Sequence, residues 1–150
     1  MRAAVRLVGG LRPAALAVLG IGWIVYGHGI ATDPGYARSR GLAGITRYVP
    51  MTALGWVWIA AGAVAVAASL TRSGIRAQAA GFAALAAPAV LWGVTYARSA
   101  WSGGLPSASA SAAAWLAFAA FVVLTAGMAE PGWVIDALYD ENEKGGGDGR

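Results

Sequence analysis

Residues 48–71 read YVPMTALGWVWIAAGAVAVAASLT, 24 positions without a single Asp, Glu, Lys or Arg. A helix rises about 1.5 Å per residue, so about 20 residues cross a hydrocarbon core of about 30 Å. The stretch is long enough to span once and too short to span twice. It does not alternate apolar and polar residues as a barrel strand would. Backbone groups in lipid must find their partners within the segment, so the expected element is a helix. Three more uncharged stretches cover residues 13–32, 77–97 and 99–129, with 20, 21 and 31 positions. Gly103, Gly104 and Pro106 trim the last to about 108–128. The expectation is an all-α integral membrane protein with spans at about 14–31, 51–70, 77–97 and 108–128, packed as an antiparallel four-helix bundle. Residues 71–76 are too few for anything but a hairpin between the second and third spans.

The whole composition agrees. Of 150 residues, 58% are hydrophobic and 12% charged, with mean hydropathy +0.59. Soluble domains run nearer half apolar and about a quarter charged. There are 36 Ala, 22 Gly and 7 Trp but no Cys. These figures exclude a disulfide-stapled module, a cysteine-based zinc or iron–sulfur site and a disordered chain.

Charge is confined to the ends and connections. Residues 1–12 form a basic N-terminus, 13–129 the transmembrane domain, and 130–150 an acidic, Gly-rich tail whose first part, 130–139, can form a short interfacial helix. Both termini and the 71–76 connection share one side in a four-span chain. That side carries Arg2, Arg6, Arg12, Arg72, Arg76, Lys144 and Arg150, and the other carries Arg38, Arg40, Arg47 and Arg98. The positive-inside rule places both termini in the cytoplasm and the chain in the cell membrane. Arg2, Arg6 and Arg12, the apolar run and Gly29-Ile30-Ala31 also have the form of a signal peptide, but the run fills a whole span. The basic pI near 10 then reports topology and anionic headgroups, not a nucleic-acid surface.

Punctuation at the span ends is consistent with this division. Pro13 and Pro50 suit first turns, Ser107 and Ser109 can cap the fourth span, and Pro131-Gly132 ends it. Tyr26, Tyr48, Trp56, Tyr96, Trp101 and Trp133 fall where an aromatic belt would lie. Pro88 sits inside the third span and predicts a kink there.

Small residues recur at helical spacing. In the third span Ala79, Ala83, Ala86, Val90, Gly93 and Ala97 share one stripe, and Phe82, Leu85, Ala89, Trp92 and Tyr96 share another. In the fourth, Ala110, Ala113, Ala117, Ala120 and Gly127 oppose Trp115, Phe118 and Val122; in the first, Ala17, Gly20, Gly27 and Ala31 line up with Ile24. Helices in lipid associate by close van der Waals contact, which small residues permit. Gly20, Gly27, Ala79, Ala83, Ala86, Gly93, Ala113 and Ala117 are therefore the expected packing positions, with bulky side chains turned toward lipid. A GC-rich genome that places Ala everywhere is the competing explanation.

Little chemistry is available. His28 is the only histidine, so zinc and Cys/His nucleophilic sites are excluded; with Asp33 it lies at the end of the first span, where a wetted interfacial histidine is the expected role. No Asp, Glu, Lys or Arg falls within a span, which argues against a pump or ion-coupled transporter. Gly145–Gly147 lies in a polar tail without a strand or helix start, so it is no phosphate loop. Thr52, Ser69, Gln78, Thr95 and Thr125 are scattered polar residues that share no evident face. The 33–50 connection reads as a solvated link whose Tyr36, Leu42, Ile45 and Tyr48 can lie on the membrane surface beside its arginines. No cofactor, metal, catalytic residue, nucleic acid or small-molecule substrate is expected.

Four Ala/Gly/Trp-rich spans, arginine-dominated basic residues and a short acidic Gly-rich tail resemble the small membrane proteins of actinobacteria and their phages. Some phage proteins of this type are holins or holin-like, with one to four spans and a charged, often basic tail. The net acidic tail here departs from that pattern. The expected function is a non-enzymatic, multi-pass structural or interaction protein. Its expected partners are the lipid bilayer, further copies of itself or other membrane proteins. The alternatives are a holin-like pore former, then a channel or transporter subunit.

Overall fold

The structure, a computed structural model, describes residues 10–33, 35, 41–71, 74–103 and 107–128. These residues are all-helical, with no strand among them. The elements are α1 (Leu11–Thr32), a short α2 (Ala43–Thr46), α3 (Met51–Leu70), α4 (Ile75–Trp101) and α5 (Ala108–Gly127). Four of them, α1, α3, α4 and α5, are long and apolar enough to cross a membrane. The helices outrun the uncharged stretches at three ends. Arg12 belongs to the first turn of α1, while Arg76 and Arg98 lie within α4. Pro50 serves as N-cap of α3 in extended conformation, where its missing N–H costs nothing. Ser107 occupies the N-cap position of α5 but makes no side-chain capping bond. Pro131-Gly132 and the 130–139 segment lie outside the described residues.

Glycines set the tightest contact. A methyl group added at Gly20 would lie 2.8 Å from the Gly62 carbonyl oxygen, and one at Gly27 would lie 2.6 Å from that of Gly55. Both helices thus repeat glycine at a seven-residue interval, and Gly20 meets Gly62 while Gly27 meets Gly55. As residue number rises along α1 it falls along α3. The backbones approach as closely as only glycine permits on both sides. Gly81 of α4 completes the seam where three helices meet: a methyl group added there would lie 2.8 Å from the Ala68 methyl and 3.0 Å from Leu16 Cδ2.

Away from the glycine seam the gap between helices is filled by rings. Trp58 of α3 is wholly buried and touches a ring from each of the other three long helices. Its centroid lies 4.6 Å from Trp23, 4.9 Å from Tyr26, 5.2 Å from Trp92 and 5.3 Å from Trp115. The rings meet edge-on or tilted, the arrangements the aromatic quadrupole favours. Phe118 stacks on Trp23 at 4.6 Å.

This arrangement reverses the expected sorting in two helices. On α4, Phe82, Leu85, Ala89 and Trp92 are the buried face, while Ala79, Ala83, Val90 and Ala97 are exposed. On α5, Val122 is buried and Trp115 and Phe118 pack against the core, while Ala110, Ala113, Ala117, Ala120 and Gly127 are exposed. Ala86 is half-buried against the core, and Gly93 is buried with Leu116 over it. Ala79, Ala83, Ala113 and Ala117 are therefore not packing positions within this chain. The reason is geometric. Gly20 and Gly27 draw α1 onto α3, and the space this leaves toward α4 and α5 is wide enough to take indoles. A large polarisable ring gains more dispersion contacts there than a methyl group would. Tyr26 likewise belongs to the aromatic core and not to an interfacial belt, whereas Tyr48, Trp56 and Trp101 are exposed. Trp133 lies outside the described residues.

Pro88 is buried inside α4, which runs on through it to Trp101. Proline lacks the N–H that would have met the carbonyl one turn earlier, at Ala84, and its ring crowds that turn. The adjacent carbonyl, of Leu85, accepts a hydrogen bond from Trp23 Nε1 at 3.1 Å. The α1 indole thus supports α4 at its weakest turn. The Nε1 atoms of Trp58 and Trp92 are buried without a hydrogen-bond partner.

Candidate functional site

Polar chemistry gathers at one end of the molecule, where α1 finishes, α3 begins and α4 ends. The 41–49 segment is fastened there by apolar residues. Leu42 is wholly buried, and Ile45 and Val49 pack against the core. Leu42 was expected on the membrane surface; it is instead an anchor, because the segment folds inward over the ends of the long helices. Tyr36 lies outside the described residues. Gly41 provides the notch for α4: the ring of Tyr96 occupies the place its side chain would take. The backbone of the segment satisfies itself, with Ile45 and Thr46 N–H groups donating to the Leu42 carbonyl (2.8 and 2.9 Å) and Val49 N–H to Ile45 (3.0 Å). Thr46 Oγ1 also donates to Leu42, at 3.2 Å. A turn closed this way can stand at an interface without water at every group.

Between this segment and the last turns of α4 lies a cavity of about 690 Å³. The α4 wall presents Thr95, Arg98, Ser99 and Ser102, which follow the spacing of one helical face. The opposite wall presents Gly44, Ile45, Arg47 and Tyr48. Two guanidinium groups and four hydroxyls thus line one space, and among the described residues no carboxylate lines it. Arg47 stands 5.9 Å over the ring of Tyr48, a cation–π contact that holds it near the mouth. Thr95 Oγ1 donates to the Leu91 carbonyl at 2.7 Å and Ser102 Oγ to Ser99 at 3.2 Å. Their protons serve the helix, so toward the cavity these two oxygens offer lone pairs. Donation into the cavity falls to the arginines, Tyr48 and Ser99.

Such a lining can attract and orient an anion. Among the described residues it supplies no nucleophile–base pair. His28 and Asp33 are exposed elsewhere at the end of α1, and no cluster of metal-ligating side chains occurs among the described residues. Thr95 looked scattered in the sequence, as did Ser69, Gln78 and Thr125. Ser69 and Thr125 donate to carbonyls of their own helices, whereas Thr95 begins the polar face of the cavity. The available signal was the 95-98-99-102 spacing, which the end of the uncharged stretch at residue 97 divides in two.

No protein-family model, curated protein or solved structure matches the chain.

Proposed function

We propose that this chain is a non-enzymatic, multi-pass protein of the cell membrane with a structural or interaction role. Its four long helices cross the bilayer as an antiparallel bundle with both termini in the cytoplasm. The arginine asymmetry supports that orientation. The descending register of Gly20 on Gly62 and Gly27 on Gly55 supports the antiparallel order of the first two spans. The observation that carries the functional reading is the aromatic core. Rings from all four spans meet around Trp58, and they fill the interior where a single-copy channel would need a hydrated path. A rigid, filled bundle presents surfaces and holds its connections in place; it does not conduct through its centre.

The test is expression in a bacterial host beside an endolysin that lacks its own export signal. Induction should leave membrane potential without an abrupt collapse and should not release the endolysin. Sudden, timed lysis that depends on the endolysin would overturn the structural reading in favour of a holin-like pore former.

A further inference from the structure

We propose that the cavity between α2 and the end of α4 binds a phosphate group, with Arg47 and Arg98 as its two cationic walls. The proposal rests on the membrane-bundle reading and adds a ligand chemistry to it. Its first support is charge. The cavity holds two guanidinium groups contributed by different elements, and among the described residues no carboxylate lines it to neutralise them. An arginine fork matches the oxygens of a phosphate, and two forks facing one space can share a tetrahedral anion. Its second support is position. Arg98 lies in the last turn of α4, where the four orphan carbonyls and the negative end of the helix dipole help retain a cation. Arg47 is held beside Tyr48, an exposed ring, so a ligand can reach both from outside the bundle. Its third support is construction. Leu42, Ile45 and Val49 fix one wall to the core, and Tyr96 against Gly41 fixes that wall to α4. The site is thus largely formed before a ligand arrives. A volume of about 690 Å³ falls within the range of small-molecule sites and exceeds what a bare ion requires. The phosphate can belong to a phospholipid headgroup or be free; the chemistry that recognises it is shared.

The full chain, purified in maltoside micelles without phosphate, is titrated with inorganic phosphate, with dihexanoyl phosphatidylglycerol and with dihexanoylglycerol, which lacks the phosphate. The readout is the rise in thermal midpoint, since a ligand that binds only the folded state raises it. Dihexanoylglycerol should give no rise. A rise with the phospholipid alone assigns a headgroup, a rise with inorganic phosphate alone assigns a free anion, and a rise with both shows that the phosphate suffices; each supports the site. The double variant Arg47→Gln/Arg98→Gln should weaken the effective ligand at least roughly tenfold, as loss of charge-assisted hydrogen bonds implies. Arg76→Gln, at the far end of the same helix, should leave it unchanged. Should the double variant not fold, each single substitution must weaken binding. No rise with either phosphate compound, an equal rise with dihexanoylglycerol, or equal weakening by Arg76→Gln would overturn the proposal. Resistance of the protein to alkaline extraction from membranes is scored in parallel. Loss of that resistance would refute the bundle reading, whereas an integral protein that fails to bind would refute the site alone.

Discussion

Alanine substitutions along α1 should change sign from one face to the other. At Gly27 the new methyl carbon would stand 2.6 Å from the Gly55 carbonyl oxygen, 2.8 Å from the Ile59 nitrogen and 2.8 Å from Trp58 Cβ. At Gly20 it would stand 2.8 Å from the Gly62 oxygen and 2.9 Å from Val66 Cγ2. Ordinary contacts lie near 3.5 Å, so each methyl group intrudes by roughly 0.6–0.9 Å. Two of the atoms struck at Gly27 are backbone and cannot rotate aside, so α1 and α3 must separate. Overpacking of this kind costs about 1–3 kcal/mol, against which alanine gains at most about 1 kcal/mol of helix propensity over glycine. Gly27→Ala and Gly20→Ala should each destabilise by about 1–2 kcal/mol. The double variant should lose less than the sum, because one displacement of α1 relieves both clashes. Gly22 and Gly29 have nothing within 4 Å of an added methyl, so Gly22→Ala and Gly29→Ala should be neutral or stabilise by up to about 1 kcal/mol. The assay is unfolding of the purified protein in mixed micelles of rising dodecyl sulfate fraction, followed by the tryptophan fluorescence of the core. Gly27→Ala as stable as the parent, or Gly22→Ala as damaging as Gly27→Ala, would refute the seam.

The same unfolding assay tests the other contacts. Ala83→Leu and Ala113→Leu, at exposed positions, should shift the midpoint little, whereas Ala89→Leu and Ala119→Leu, both buried, should cost about 1–3 kcal/mol. Trp58→Ala empties the centre of the aromatic core and should cost about 3–5 kcal/mol, the largest loss of any single truncation here. Trp23→Phe keeps a ring but removes the donor to the Leu85 carbonyl, so it should cost about 0.5–1.5 kcal/mol. Reporter fusions after Lys144 and within residues 71–76 should read cytoplasm, and those near Gly41 and Gly103 should read outside; a reversed signal at Lys144 alone would mean an odd number of spans.

The number of long helices was legible from charge, but three of their ends were not, since the first helix takes in Arg12 and α4 takes in Arg76 and Arg98. Residues 48–71 lack charge, and α3 occupies Met51–Leu70 within them. Which face turns inward was not legible, for a physical reason. In water the apolar face of a helix is the buried one, and the pattern reports it. Here every face is apolar, so the pattern reports only size, and size does not carry a direction. Small residues pack inward at Gly20 and Gly27 but face outward at Ala83 and Ala113. The distinction depends on whether the facing helix is also small at that level. Gly20 has Gly62 opposite, and Gly27 has Gly55. The cavity was hidden for a related reason: Arg47 and Arg98 lie 51 positions apart in sequence, and only the inward fold of Leu42 makes them neighbours of one space.

The glycine seam and the aromatic core then act as one device. Two helices that touch through glycine stand closer than two that touch through indoles, so the seam fixes where space remains and Trp58 sits where that space is shared. Trp23 links the two, since it projects from α1 between Gly20 and Gly27 and reaches across to the carbonyl of Leu85. Any change that lifts α1 from α3 must therefore also move the indole that supports α4 next to Pro88. The cavity lies on the same path, because its α4 wall begins two turns beyond that proline, at Thr95. A loosened seam should be felt at the phosphate site even though no glycine of the seam lines it. In Gly27→Ala the midpoint rise produced by the effective phosphate compound should shrink, while in Gly29→Ala, on the open face of the same helix, it should match the parent. An undiminished rise in Gly27→Ala would show that the cavity is built by Leu42, Tyr96 and the 41–49 segment alone, without help from the helix pair beneath it.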